Sequence, residues 1–268
     1  MTQMTEPVDI ERRFGGLARL YGDAAPEIFS TAHVAVAGLG GVGSWCAEAL
    51  ARCGVGSLTL VDLDHIAESN VNRQLHAVSA TLGQAKVQAM TDRVMGINPA
   101  CRVVAVDDFV DPDNVQTIFP DDVDLIIDCT DQVSAKLAMI LEARRRQVPV
   151  VVCGGAGGKT SVTALRASDL SVTQNDALLS KLRNTLRRQH GYPRAASSAG
   201  KAPRRIPKMG VRAVWFDQPA VLPSLWEATS APQGLSCAGY GSAVMVTATM
   251  GMAAASEAIQ WLLTRRFA

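Results

Sequence analysis

The sequence predicts an α/β protein with a doubly wound, Rossmann-like and mostly parallel sheet, and three observations carry that expectation. Short β-branched runs alternate with helical stretches up to about residue 155. The runs are continuously apolar, as strands covered on both faces must be. A glycine-rich turn, Gly38-Leu39-Gly40-Gly41-Val42-Gly43, joins the first run to the first helical stretch. A fold of this kind opens its ligand crevice at the carboxyl ends of the strands.

In order, HVAVAG at 33–38 predicts a strand and GVGSWCAEALARCG at 41–54 a helix stopped by Gly54. SLTLVD at 57–62 is a second strand. LGQAKVQAMTDRVMGIN at 82–98 is a helix ended by Asn98-Pro99, because the residue before proline avoids the helical region. CRVVAVDD at 101–108 is a third strand, followed by a short helix from Pro112. DLIIDCTD at 124–131 is a fourth strand, VSAKLAMILEARRRQ at 133–147 a helix and PVVVCGG at 149–155 a fifth strand. The remainder reads as a less regular, substrate-binding part: a strand near 161–168, a basic segment, proline-rich connections and a final small-residue helix. The expected division is a nucleotide-binding core over 10–160 and a second part over 161–268.

The chain has 268 residues, 48% apolar and 19% charged, which excludes disordered, collagen-like and coiled-coil proteins. Lys+Arg 26 against Asp+Glu 25 leaves +1, so any basic surface must be local. Six cysteines without a C-x-x-C pair give neither a disulfide scaffold nor a zinc site, and His33, His65, His76 and His190 show no ligand spacing. The N-terminus, MTQMTEPVDIERRFGG, has charges where a signal peptide has an apolar run, so a cytoplasmic location is expected. The uncharged stretch from Ala238 to Ser256 is about long enough to cross a bilayer. Its Ala, Gly, Ser, Thr and Met contribute little to insertion, however. Val244, Ala248, Met252, Ala255, Ile259 and Leu262 follow helical spacing, which favours a helix buried in the protein or at a subunit interface.

Glycines at Gly38, Gly40, Gly41 and Gly43 let the backbone turn and approach phosphate, and the following helix offers unpaired N–H groups. Asp62 ends the second strand, where a carboxylate accepts ribose hydroxyls of NAD or ATP alike, or merely caps a turn. The stretch from Asp64 through Asn70, Arg73 and Gln74 toward Lys86 separates those two ligands. Splitting ATP between its α and β phosphates needs cations to gather charge on departing pyrophosphate. Arg73 offers a bidentate contact and Lys86 a compact charge, although Lys86 taken singly reads as a solvated helix residue. Asp131, after the fourth strand, could hold Mg²⁺ bridging phosphate oxygens.

GLGGVGSW, VDLDHI, SNVNRQ, GQAKV and DCTDQV, in this order and spacing, resemble the ubiquitin-activating-enzyme-like adenylation family over roughly residues 10–160. The resemblance implies that the glycines, Asp62, Asp64, Asn70, Arg73 and Lys86 bind ATP and that Asp131 accompanies Mg·ATP. It also implies that Arg13 reaches the nucleotide of a partner subunit in a homodimer; without the resemblance, Arg13 is one charge of a basic pair. RRFGGLARLYG, Val106-Asp107-Asp108-Phe109-Val110, the Gly154–Gly158 loop and CAGYGSAVMVTATMG are similar to one branch, which acts on tRNA. That branch implies ATP-dependent dehydration: a threonylcarbamoyl side chain on the adenosine beside the anticodon is cyclised through an acyl-adenylate.

The carrier-protein branch usually has two C-x-x-C pairs and a cysteine loop after the core. Here no cysteine lies between Gly154 and Ser236. Cyclisation needs no protein nucleophile, because a group of the same substrate attacks at high effective molarity. Between Asp176 and Asp217 there is no acidic residue, and Lys181, Arg183, Arg187, Arg188, Arg194, Lys201, Arg204, Arg205, Lys208 and Arg212 fill the gap. That segment, 181–212, is expected either to meet RNA phosphates, its Ala195–Lys201 portion ordering on RNA, or to be a solvated basic linker. Trp215, Phe216 and Trp226 could stack on bases, but core packing is the commoner use. Cys237, before the final helix, is either a reactive thiol or a buried small side chain. Some relatives are linked to sulfur-transfer protein partners, which would engage that thiol. The rival readings are adenylation of a sulfur-carrier protein's C-terminus, an NAD-binding regulatory or redox protein, and an ATP-gated scaffold using Cys237.

Overall fold

The structure is a computed structural model and describes residues 9–194, 206–222 and 237–267. Two helices that the sequence did not announce come first, α1 (Ile10–Tyr21) and α2 (Ala25–Thr31). The Asp9 carboxylate caps α1 by accepting from the Arg12 N–H at 2.9 Å. Then β1 (His33–Ala37), α3 (Gly43–Arg52), β2 (Ser57–Val61), α4 (Lys86–Ile97) and β3 (Arg102–Val106) alternate as expected. They are followed by α5 (Val115–Ile118), β4 (Leu125–Asp128), α6 (Val133–Arg146) and β5 (Val150–Cys153). The second part contains β6 (Leu165–Asp169), α7 (Ala177–Gln189), β7 (Arg212–Phe216), α8 (Cys237–Tyr240) and α9 (Val244–Thr264).

The elements are shorter than the sequence suggested, for local reasons. A 3₁₀ turn at Ser79–Thr81 and Gly83 at φ +84° keep the chain from α-helix until Lys86. The short helix begins at Val115 rather than Pro112 because the Asp111 carboxylate accepts from the Asp113 and Asn114 N–H groups, closing an Asx turn first. The fourth strand stops at Asp128, and Cys129 to Asp131 turn into a crevice wall.

The sheet runs β3-β2-β1-β4-β5-β7-β6, parallel throughout except for the antiparallel β6–β7 edge. Strands from both sides of residue 160 therefore share one sheet. Alternation within β1 sends Val34 and Val36 to a core with α3, α4 and α9, and Ala35 and Ala37 to a core with α6 and α7. The final helix follows the expected period in its second half, where Ala255, Ile259 and Leu262 are buried as expected. In its first half Val246, Met250 and Ala254 take the core positions, while Met252 is exposed and Val244 and Ala248 are half-buried. Small residues are needed where α9 crosses α3, since a Cβ on Gly251 would collide with the Val42 carbonyl. Among the described residues no helix is long and apolar enough to cross a membrane.

Several side chains of the basic segment and its flank are engaged within the fold. Trp215 and Phe216 are buried in β7, the commoner use expected of them, with the Trp215 indole N–H donating to Ser168 Oγ at 2.9 Å. Arg212 forms a two-point ion pair with Glu257 of α9 and holds helix to sheet. Arg183 donates to the carbonyl and hydroxyl of Thr173 at 2.8 and 2.6 Å. Lys201, Arg204, Arg205, Trp226 and the Ala195–Lys201 portion lie outside the described residues.

Candidate active site

The glycine loop begins where β1 ends. Gly38 has φ +85°, and a Cβ there would stand 3.0 Å from the backbone of Cys129 and Thr130. Only glycine lets the β1 and β4 exits pass so closely. Gly43 opens α3, and a Cβ on it would collide with the Gly38 carbonyl. Gly38, Gly40 and Gly41 thereby line a crevice of about 660 Å³ at the carboxyl ends of the strands, with Gly43 packed behind them.

Asp62, just past β2, fixes this loop from below. Its Oδ2 accepts from the Leu39 N–H at 2.6 Å and its Oδ1 from the Asp64 N–H at 2.9 Å. Lys86, first residue of α4, is 5% exposed rather than a solvated helix residue. Its Nζ lies 2.6 Å from Asp64 Oδ2 and 3.4 Å from Asp62 Oδ1. Asp62, Asp64 and Lys86 all line the crevice, where the two carboxylates hold the ammonium. Asn70 and Arg73 line it too, from the loop between β2 and α4. Asn70 Oδ1 accepts from the Ala67 N–H at 3.0 Å, and Arg73 donates to Ser69 O at 2.8 Å and Asn72 Oδ1 at 2.9 Å. The Trp45 indole N–H holds the Arg73 carbonyl at 3.0 Å, tying this loop to α3. Asp131 is exposed on the β4 side of the same crevice. Gly154 and Ala156, after β5, complete the wall, and Asp176 at the start of α7 accepts from the Gly155 N–H at 2.8 Å.

Arg13 is the exception among the expected site residues. It is exposed on α1, donates to the Ile97 carbonyl at 2.6 Å and does not line this crevice. Cys237 begins α8, and its side chain lies outside what is described. Among the described residues no group of three or more His, Cys, Asp or Glu could hold a metal ion.

Sequence reasoning missed three features. His76 is buried, and its Nε2–H donates to the Leu39 carbonyl at 2.9 Å, so the Leu39 peptide is held by Asp62 on one side and His76 on the other. Burial keeps its pKa below the usual histidine value, helped by the Lys86 charge and against the Leu39 hydrogen bond. Gln74, visible in SNVNRQ but given no role, lines the crevice with a buried Oε1 that has no partner. Lys136 and Asp128 form an ion pair at 3.1 Å with both side chains fully buried under the β4 exit. Lys136 also donates to the Cys153 carbonyl at 2.7 Å, while Asp128 accepts from the N–H and hydroxyl of Thr130. Burial disfavours the ammonium, but the Asp128 carboxylate outweighs it and Lys136 stays above the usual lysine range.

A glycine loop at a strand exit, a carboxylate at the end of the next strand and two cations in one crevice suit a nucleoside triphosphate. Comparison with known proteins agrees. The tRNA threonylcarbamoyladenosine dehydratase of Escherichia coli (strain K12) is 42% identical over 262 residues, spanning 95% of this chain and 94% of that protein. The crystal structure of the E. coli tRNA N6-threonylcarbamoyladenosine dehydratase in complex with ATP matches at TM-score 0.83 and 41% identity. It covers 96% of this chain and 98% of that one. The same enzyme in complex with AMP matches at TM-score 0.82 and 41% identity, over 97% and 99% of the two chains. The model of the ThiF family matches residues 15–267, and the chain belongs to the ThiF family.

Proposed function

We propose that the chain is an ATP-dependent enzyme that dehydrates threonylcarbamoyladenosine in tRNA. The observation that carries the reading is the 42% identity to the E. coli dehydratase, which runs through the C-terminal half as well as the nucleotide crevice. The threonylcarbamoyl carboxylate attacks the α-phosphorus, forming an acyl-adenylate and releasing pyrophosphate. The carbamoyl group of the same side chain then attacks the acyl carbon, AMP leaves with the bonding pair, and the carbamoyl proton passes to solvent. The nucleoside loses one water in total, and ATP becomes AMP and pyrophosphate.

In this reading residues 10–160 hold ATP and residues 161–268 meet the tRNA. Gly38, Gly40, Gly41 and Gly43 shape the phosphate loop, and Asp62 takes the ribose. Asn70, Arg73 and Lys86 gather the triphosphate charge, with Asp64 holding Lys86 in place. Asp131 would hold the magnesium carried by ATP: one exposed carboxylate in the crevice wall is a ligand that Mg²⁺ accepts while keeping its waters. When bound, the ion supplies charge neutralisation between phosphates. Arg13 would reach a nucleotide only in a second copy of the chain, so its role requires a homodimer. Cys237 and a sulfur-transfer partner are not needed for the cyclisation. The test is pyrophosphate release from Mg·ATP with and without tRNA carrying threonylcarbamoyladenosine, followed by mass analysis of the nucleoside. Release dependent on that tRNA, with loss of one water, is the expected result. Release supported only by a sulfur-carrier protein, or none with either, would overturn the reading.

A further inference from the structure

A small pocket of about 250 Å³ lies between the 3₁₀ turn Leu170–Val172 and α7. Arg183, Arg187, Ser171 and Thr173 line it. Arg183 and Arg187 are one helical turn apart, so their guanidinium groups share a face. Arg183 is spent on the turn, donating to Thr173 and bracing the wall. Arg187 uses its Nε on the Pro193 carbonyl at 3.1 Å, but one terminal nitrogen is buried and has no hydrogen-bond partner. Ser171 is 6% exposed, and its hydroxyl is likewise buried without a partner.

Two orphaned donors on residues that line one small cavity are a costly arrangement, because each unpaired buried polar group forfeits hydration. The charge balance points the same way. Burial and the neighbouring Arg187 both push the Arg183 pKa below its usual value. The carboxylate on this turn, Asp169, already accepts from the Ser171, Met209 and Gly210 N–H groups. Among the described residues no ion pair engages Arg183 or Arg187. Guanidinium and hydroxyl donors around a cavity of this size suit a tetrahedral oxyanion.

We propose that this pocket is a phosphate subsite that takes a backbone phosphodiester of the tRNA, which rests on the function proposed above. Placement supports a polynucleotide over a free ion. Asp176, at the start of α7, holds the Gly155 N–H in the wall of the nucleotide crevice. Arg183 and Arg187 follow along the helix at about 10 and 16 Å, so a strand entering the crevice would run beside them.

The experiment measures affinity of the full chain for tRNA carrying threonylcarbamoyladenosine across a salt series, in wild type, Arg187→Met, Arg187→Lys and Ser171→Ala. In parallel, inorganic phosphate is titrated with saturating AMP present and Tm is followed. Arg187→Met should weaken tRNA binding about tenfold. It should also flatten the log–log salt slope by about 0.7, with KM for ATP unchanged. Arg187→Lys should retain most of the slope. Ser171→Ala should weaken tRNA binding while leaving Tm equal or higher, since it deletes an unpartnered hydroxyl; a merely structural serine would not separate the two. Phosphate should raise the Tm of wild type and not of Arg187→Met. Wild-type tRNA affinity and slope in both Arg187→Met and Ser171→Ala overturn the RNA assignment. If the phosphate response is still lost there, the site takes a free anion; if it persists, there is no anion site. Loss of tRNA binding in Arg187→Met, in a protein that dehydrates no nucleoside, would keep the subsite and sink the reaction.

Discussion

Replacing Lys136 by Met tests whether the buried ion pair under the crevice carries the weight its geometry implies. The substitution keeps much of the side-chain volume but leaves Asp128, fully buried, without its cation, and the Cys153 carbonyl without its donor. Breaking such a pair from one side costs about 3–5 kcal/mol. For a chain of this size that lowers Tm by roughly 10 °C. The deficit should depend on pH. Burial is the largest influence on Asp128 and pushes its carboxyl up, and the opposing Lys136 charge would be gone. A carboxyl whose folded pKa lies above its unfolded value of about 3.9 stabilises fully below that value and loses the contribution as pH rises through the folded pKa. The gap between variant and wild type should therefore narrow as pH falls from 8 to 5. Urea and thermal unfolding across that range measure it. Adding Asp128→Asn to Lys136→Met should recover more than half of the loss, because no charge is then stranded. A deficit under about 1 kcal/mol at pH 7.5, a gap independent of pH, or simple additivity in the double variant would refute the reasoning.

Arg73→Ala should slow tRNA-dependent pyrophosphate release about a hundredfold by removing charge stabilisation at the departing group. Its Tm should barely change, because the half-buried guanidinium hydrogen-bonds to the exposed Ser69 and Asn72 of its own loop; a large Tm loss would make Arg73 structural. Gly38→Ala forces a Cβ against the Cys129–Thr130 backbone at a positive φ, so ATP binding followed by calorimetry should be lost or weakened at least tenfold. Burial lowers the pKa of both His33 and His76 in the fold. The stability they contribute is present above the unfolded value of about 6.5 and is lost as pH falls through their folded values. Tm should therefore drop between pH 7.5 and 5.5, and His76→Gln should flatten that drop; equal slopes in the two proteins would count against it.

The parallel strands were legible because each is a short apolar run between helices, and β1 to β5 lie within a few residues of their expected bounds. The expected residues Gly38, Gly40, Gly41, Asp62, Asn70, Arg73, Lys86 and Asp131 line one crevice, because the fold gathers the carboxyl ends of its strands and the loops that follow them. What the sequence hid depended on tertiary packing. The narrow stripe Leu179, Leu182 and Leu186 was lost among the polar residues of α7. Lys136 looked like any helix lysine; only the approach of β4 and β5 shows that Asp128 and a carbonyl await it. Arg13 is similarly silent, since its expected target lies outside its own chain.

The Asp169 carboxylate has a meaning beyond its own hydrogen bonds. It receives Ser171, where the chain leaves β6, and Met209 and Gly210, where the chain returns about forty residues later. Departure and return are thus gathered on one side chain, which pins the two ends of the excursion together beside the sheet edge. Lengthening such an excursion costs only about 0.6 kcal/mol per doubling of its span. Between the end of α7 and Met209 the chain can therefore vary in length while the register of β6 and β7 is kept.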